Sequence, residues 1–383
     1  MYRVRKKTLV ETLLFSAFFI ITISYADLVG SYGMWNMVKY AGIGLLVAAA
    51  FFRAGNVFRY SPKIFGMFAY FFVITLISVM TQKLSAGNAI MALCYPPILF
   101  FYVMAGRYIL KTPTDMRRAA AGIISGVILV LILSVDQSLQ QIIRTSSLGR
   151  LRIYGAFSHP NMYASMLLGA IVLLDAAYRQ DDCAHKRALC KHWTVILLLS
   201  LLILLTNSRT TMILEFVYFA VIYYDVLKKK IVKRDWKLYL MVVLVVLVAG
   251  GLVVLFGYVL QQETIAMRLD DYERFSLDGI EILFGHAFTS SKTDVSFEFA
   301  PYTILYRLGL LGLLGFMVLL MTFVFRSYRR RNRCGMVPLA CSIMFALSAL
   351  AEGYIINITN LFSCVMYLLI GSYFSVMNEQ VRK

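Results

Sequence analysis

The arginines of two polar stretches are the residues of this sequence best suited to binding an anion. Arg150 and Arg152 lie two residues apart in SLGRLRIYGAFSHPNMYASMLLGA (147–170), directly before an apolar run, and Arg209 lies between two further apolar runs. A guanidinium group is always charged, and its planar fork of donors matches the oxygens of a carboxylate or a phosphate. We therefore expect these arginines to have an anionic partner.

Two histidines in the polar stretches could transfer protons, because imidazole titrates near neutral pH. His286 follows Gly285 in a loop, and it is either a general base or a loop residue that hydrogen-bonds to the backbone. His159 stands directly before Pro160. It either belongs to a site or caps a helix that begins at the proline.

The composition indicates which elements must position these residues. The chain has 383 residues, of which 60% are hydrophobic and 15% charged. Many apolar runs approach the length of about 20 residues that crosses a bilayer as a helix. A soluble domain could not bury so much apolar surface, and the continuous runs argue against a β-barrel, whose strands alternate. The net charge of +18 fits basic cytoplasmic loops rather than a nucleic-acid partner.

The apolar runs predict an all-α polytopic membrane protein with about twelve transmembrane helices, forming a single integral membrane domain over residues 1–383. The helices are expected near residues 8–26, 34–52, 64–80, 89–106, 119–135, 161–178, 193–206, 210–227, 238–260, 303–325, 337–355 and 358–376. Alternate loops then carry most of the basic residues, which predicts that both termini are cytoplasmic. One longer extracytoplasmic loop, about 261–302, is expected to contain a short amphipathic helix.

Several arginines lie on the predicted outer side, where the positive-inside rule does not explain them. They include Arg150, Arg152, Arg209 and Arg268. An arginine near the bilayer costs about 2.5–3.5 kcal/mol unless it pairs or reaches the interface. The loop 261–302 is rich in acids, but Asp136 is the one acid near Arg150 and Arg152 in sequence. These two arginines are therefore under-neutralised.

Four polar stretches occur in an order and spacing that resemble one enzyme family. They are RIYGAFSHPNMYASMLL (152–168), ILLTNSRTTMI (203–213), RLDDYERFSLDGIEILFGHA (268–287) and EFAPYTILYRLGLLGLLGF (298–316). They resemble, in turn, an Arg-x-x-Gly-x-Phe-x-x-Pro-Asn motif before a helix, a Thr-x-Ser-Arg break, an Arg-led amphipathic helix ending in glycine, and a last outer segment. The family is the O-antigen ligase and polysaccharide polymerase superfamily of membrane glycosyltransferases.

The sequence departs from the family pattern at two places. Gly285-His286-Ala287 replaces a Gly-x-Gly, and Glu298-Phe299 precede Gly309 where family ligases have a His-Asn pair. The second departure argues against a lipid A-core ligase. It favours a polymerase of O-antigen, capsule or exopolysaccharide repeat units, with the O-antigen ligase type as the alternative.

The resemblance implies an inverting glycosyl transfer without metal or cofactor. A glycan on undecaprenyl diphosphate is the donor, a hydroxyl of a second glycan attacks its anomeric carbon, and the lipid diphosphate leaves. Arg152 and Arg209, with Arg268 and Arg150, would bind the diphosphate, because preorganised cations best stabilise its growing charge. Glu298 would be the general base, with His286 as its rival.

Three further polar residues have open roles. Glu215 is a candidate site residue because carboxylates inside membranes are commonly functional, or it pairs with a basic side chain of a neighbouring helix. Asn161 and Glu352 bind glycan hydroxyls or have structural roles. The cysteines and histidines of CAHKRALCKHW (183–193) match no standard zinc spacing, so we predict no metal site.

The resemblance also implies the surroundings of the protein. We expect it in the bacterial cytoplasmic membrane, with the bilayer, the undecaprenyl-diphosphate-linked glycan and other polysaccharide-assembly proteins as partners. Two rival classes are a flippase or transporter of lipid-linked oligosaccharides and a non-catalytic assembly protein. Transporters often show internal repeats, and no repeat is evident here. An ionisable Glu298 argues against the non-catalytic class.

Overall fold

The computed structural model describes residues 2–27, 29, 35–55, 62–82, 86–143, 152–181, 186–226, 228, 277, 279–286, 300–352 and 360–379. Regular secondary structure in these ranges is helical, apart from one antiparallel bridge between Ala26 and Phe157. The predicted all-α class is confirmed for this part of the chain.

The helices of the described ranges are numbered here in chain order. They are α1 (Tyr2–Ile23), α2 (Trp35–Ala54), α3 (Pro62–Gln82), α4 (Ala86–Ile109), α5 (Pro113–Leu133), α6 (Val135–Ile143), α7 (Pro160–Arg179), α8 (Lys186–Leu205), α9 (Arg209–Ile222), α10 (Glu281–Phe284), α11 (Ala300–Arg329), α12 (Arg331–Cys334), α13 (Val337–Ala351) and α14 (Leu361–Glu379).

The described ranges contain six helices long and apolar enough to cross a membrane. These candidate spans are Met37–Ala54, Ile64–Gln82, Ala92–Ile109, Pro113–Leu133, Pro160–Arg179 and Pro301–Arg329. Shorter apolar helices occupy Cys190–Leu205, Val337–Leu350 and Leu361–Phe374. The architecture is that of an all-α, multi-pass membrane protein.

The sequence predicts about twelve spans, which is more than the six candidate spans found among the described residues. Helices lie at the predicted places except near 238–260, which is outside the described residues. However, α9 has 14 residues and α13 has 15, or about 21–23 Å of helix. The hydrocarbon core is about 30 Å thick. These two helices are shorter than that, so their length alone does not identify them as transmembrane helices.

Three boundaries differ from the sequence prediction. The fifth predicted helix ends at Leu133, and the separate helix α6 follows in the predicted outer loop. Helix α8 begins at Lys186 rather than near 193, so Cys190 and His192 lie on a helix rather than in a loop. Of the predicted amphipathic helix, the described part is the four-residue α10.

Local sequence chemistry determines where helix α5 begins. Thr112 and Asp115 form a capping box at the start of α5, with Pro113 as the first helical residue. The Thr112 backbone N–H donates to the Asp115 carboxylate at 2.8 Å, and the Asp115 N–H donates to the Thr112 hydroxyl at 3.3 Å. Both contacts satisfy backbone groups that a helix start leaves open.

Ion pairs between helix ends gather at one end of the bundle. Arg53, near the end of α2, binds both oxygens of Asp115 at 2.5 and 2.9 Å. Beside this pair, Arg117 of α5 binds Asp181, just after α7, at 2.5 Å. We call this end, with its basic helix termini, the basic face. The other end of α5 and α7 is the opposite face.

Helices α7 and α14 form the centre of the bundle. The side chains of α14 are buried from Leu361 to Phe374, and most of α7 is buried as well. These two helices pack against each other, α5 and α8 pack on α7, and α4 packs on α14. The opposite face is therefore built on a rigid core.

Candidate functional site

The stretch that contains Arg152 lies against the end of α8. The backbone N–H of Ile153 donates a 3.0 Å hydrogen bond to the carbonyl of Leu205. Leu205 ends α8, and Arg209 begins α9 four residues later. Arg152 and Arg209 are both exposed. The fold thus places two predicted diphosphate-binding residues on adjacent segments of the opposite face.

A short extended pairing holds this stretch against the end of α1. The Asp27 N–H donates to the Ala156 carbonyl at 2.6 Å, and the Ser158 N–H donates to the Tyr25 carbonyl at 3.1 Å. Partial desolvation raises the pKa of the Asp27 carboxyl, although the residue is exposed. Asp27 could not be expected here from sequence alone, because the pairing joins segments about 130 residues apart.

The turn at Gly155 depends on helix α6. Gly155 has a φ of 57°, a left-handed conformation that favours glycine. A Cβ on this residue would lie 2.6 Å from the Ser134 hydroxyl. The Gln141 side chain of α6 accepts from the Tyr154 and Gly155 N–H groups at 3.1 and 3.3 Å and donates to the Gly155 carbonyl at 3.0 Å. Helix α6 therefore positions the turn that follows Arg152.

A buried turn presents Arg209 at the start of α9. Asn207 has a φ of 53°, which is uncommon outside glycine. The Thr206 hydroxyl accepts from the Ser208 N–H at 3.2 Å, and the Ser208 and Thr211 hydroxyls lie 2.9 Å apart. The first N–H groups of an α-helix point out of its N-terminal end, where Arg209 lies in α9. The Ser208 side chain does not cap them. This end is favourable for an anion.

His159 has the capping role that the sequence offered as one of its two explanations. Its Nδ1 accepts a 3.2 Å hydrogen bond from the Asn161 N–H at the start of α7. The Asn161 side chain donates to Oε1 of Glu352 at 2.9 Å. Asn161 and Glu352, which lie 191 residues apart, therefore form one polar pair that joins α7 to the end of α13.

His286 lies in a separate polar cluster near α3 and α11. Its Nε2 is 3.4 Å from Oε2 of Glu281, and its ring is 4.5 Å from that of Tyr306. Gln82 donates to the other Glu281 oxygen at 2.9 Å. A carboxylate beside an imidazole orients it and supports proton transfer, so His286 has the surroundings that a base requires.

Two glycines beside His286 allow a close contact between two backbone segments. Gly285 and Gly309 each have a φ of 66°. A Cβ on Gly285 would lie 2.5 Å from the backbone of Arg307, and one on Gly309 would lie 2.3 Å from the backbone of Leu283. The kink of α11 at Gly309 therefore joins the third and fourth stretches of the family resemblance by direct backbone contact.

Glu215 has a different partner from those expected. The Ser200 hydroxyl of α8 donates to its Oε1, and no basic side chain pairs with it among the described residues. The carboxylate thus links α8 to α9.

The sequence did not suggest a further buried cluster near the basic face. Asp175 of α7 is fully buried, and its Oδ2 accepts from Arg179 at 2.7 Å and from Tyr218 at 2.9 Å. His192 lies 3.6 Å from Oδ1. The cluster holds α7, α8 and α9 together at the end of the bundle away from Arg152.

The predicted site residues thus form two groups on the opposite face. Arg152, Arg209, Asn161 and Glu352 belong to the segments around α7, while His286 lies with α10 and α11. Among the described residues, no hydrogen bond or ion pair joins the His286 side chain to either arginine. Helix α13 packs against both α9 and α11 and so connects the groups. Glu298, Arg268 and Arg150 lie outside the described residues.

Comparison with known proteins adds no relative. No family model matches the chain, and no curated protein matches it at a significant level.

Proposed function

We propose that this protein is a membrane glycosyltransferase that polymerises the repeat units of a bacterial surface polysaccharide. It would transfer a glycan from undecaprenyl diphosphate to a sugar hydroxyl of a second glycan. The proposal includes about twelve spans, both termini in the cytoplasm and the opposite face on the outside. The bilayer carries the lipid-linked donor to the site.

One observation carries the proposal: the hydrogen bond between Ile153 and Leu205. It brings together the Arg152 stretch and the Arg209 stretch, which resemble two separate motifs of the same family. Motifs far apart in sequence that meet at one place are more specific than either motif alone. Both arginines are exposed there, in agreement with a shared anionic ligand.

The two arginines suit the leaving group of this reaction. As the anomeric C–O bond breaks, the electron pair moves to the lipid diphosphate and its negative charge grows. Guanidinium groups and the open N–H groups at the start of α9 would stabilise that charge. A fork of donors binds phosphate oxygens more specifically than an ammonium group does.

A carboxylate or imidazole would take the proton of the attacking hydroxyl. Glu298 is our first candidate, by its place in the family pattern. His286 is the second, and its contact with Glu281 supports it as a base. The pair of Asn161 and Glu352 joins the start of α7 to the end of α13 and would bind hydroxyl groups of a glycan.

Complementation of a polymer-deficient strain tests this function. Arg152→Ala, Arg209→Ala and Glu298→Gln are expected to leave glycans of a single repeat unit at normal protein levels. Arg329→Ala, an exposed arginine of α11 on the basic face, is the matched control and should give long polymer.

Three other results would contradict the proposal. Long polymer from all three site variants would reject the site. Repeat units trapped in the cytoplasm would indicate a flippase. Normal polymer that is not attached to its final acceptor would indicate a ligase.

A further inference from the structure

A groove opens on the side of the bundle between α3, α4, α11 and α14. It encloses about 590 Å³, including its open side. Its walls include Phe68 of α3, Leu99 and Phe100 of α4, Leu319 of α11 and Phe374 of α14. Apart from two side chains near one end, the residues that line it are apolar.

The groove faces the lipid rather than the protein interior. On α11, next to the lining residue Leu319, Val318 is 59% exposed, and Met321 is 55% exposed. In a membrane these side chains contact acyl chains. The molecules that reach the opening are therefore lipids.

The groove ends at an arginine on the basic face. Thr322 and Arg326 are its polar lining residues. The Arg326 guanidinium lies 5.5 Å above the ring of Phe374, and within the described ranges no carboxylate pairs with it. Arg329 ends the same helix. An apolar groove that ends at an arginine without a carboxylate partner in the described ranges matches a molecule with a hydrocarbon tail and an anionic head.

We propose that this groove binds an anionic phospholipid of the leaflet on the basic side. One acyl chain lies between α3, α4, α11 and α14, and the phosphate binds the guanidinium of Arg326. The aromatic ring of Phe374 orients the guanidinium by a cation–π contact, which leaves its N–H groups for the phosphate oxygens. The site lies at the end of the bundle away from Arg152 and does not depend on the glycan chemistry.

Native mass spectrometry of the delipidated protein tests the proposal. The protein is mixed with equal amounts of phosphatidylglycerol, phosphatidylcholine and undecaprenyl phosphate, whose masses differ. We expect phosphatidylglycerol to be retained, about tenfold over phosphatidylcholine, which corresponds to about 1.4 kcal/mol.

Matched variants distinguish lipid bound in the groove from lipid bound elsewhere on the protein surface. Thr322→Trp fills the groove, and Arg326→Gln removes the charge, so each should lower phosphatidylglycerol binding about tenfold. Met321→Trp and Arg329→Gln are the controls on neighbouring positions outside the groove and should bind as the wild type does. Val103→Phe, from the α4 wall, is a second filling variant if Thr322→Trp does not fold.

Three results would overturn the proposal. They are equal binding by the wild type and the groove variants, equal binding of phosphatidylcholine and phosphatidylglycerol, and retention of undecaprenyl phosphate in place of phosphatidylglycerol that is lost in Thr322→Trp.

Discussion

Arg152 and Arg209 are exposed, and no acid in the described part of the chain pairs with either side chain. Three arginines near the basic face differ from them, since Arg53, Arg117 and Arg179 bind Asp115, Asp181 and Asp175. The diphosphate of the proposed donor would supply the negative charge that Arg152 and Arg209 lack among the described residues.

Substitutions of the two candidate general bases, Glu298 and His286, have different expected effects on activity. Glu298→Gln should lower the rate of glycan transfer by about 10²–10⁴, the usual contribution of a general base. His286→Gln should keep most of the activity, because the Glu281 and Gln82 contact next to it preserves the local structure. Rates of purified protein with a lipid-linked donor measure both. The reverse order of the two variants would make His286 the base.

At the scale of elements, the turn at Gly155 fixes the direction of the Arg152 stretch. Gly155→Ala adds a Cβ to a left-handed residue 2.6 Å from the Ser134 hydroxyl. We expect it to lower the unfolding free energy by about 1–3 kcal/mol and to reduce transfer. Gly44→Ala is the control, because a Cβ there meets nothing within 4 Å and alanine favours the helix. Thermal unfolding in detergent measures both, and equal midpoints would contradict the role of the turn.

The Asp175 cluster makes a second prediction at this scale. Asp175→Asn removes the charge of a buried carboxylate that accepts hydrogen bonds from Arg179 and Tyr218, and the loss of a hydrogen bond to a charged group costs about 1.5–3 kcal/mol. Asp225→Asn changes an exposed acid just after α9 and should leave the stability unchanged. If Asp175→Asn unfolds at the wild-type temperature, the cluster does not hold α7, α8 and α9 together.

For the whole molecule, the proposed topology can be tested by labelling. In a cysteine-free background, a membrane-impermeant maleimide added to intact cells should label Asp27→Cys on the opposite face. It should not label Asp225→Cys, near the basic face, until the cells are opened. If only Asp225→Cys were labelled in intact cells, the protein would have the opposite orientation in the membrane. Arg152 and Arg209 would then face the cytoplasm.

Much of the fold follows from the sequence because bilayer thickness fixes helix length. Apolar runs located the longer helices, and Pro160 marked a helix start that the structure shows. The sequence was less informative where contacts between distant segments decide the outcome. Helix α6 is short and exposed, so it has no apolar run to reveal it. The contact between His192 and Asp175 joins two helices and has no signal in the sequence.

The candidate site is only partly predictable for the same reason. Motif residues identified Arg152, Arg209 and Asn161, yet only the fold reveals that Ile153 meets Leu205 and that Asn161 binds Glu352. No sequence periodicity predicts the contact between Glu281 and His286. The contact lies where the backbones at Gly285 and Gly309 approach each other closely.

Binding of undecaprenyl diphosphate to the purified protein in nanodiscs tests the central claim most directly. The wild type and Arg329→Ala should bind it with the same affinity, and Arg152→Ala with Arg209→Ala together should weaken binding at least about tenfold, the loss expected from charge-assisted hydrogen bonds worth about 1.5–3 kcal/mol. Equal affinity of the double variant and the wild type would show that these arginines do not hold the lipid diphosphate.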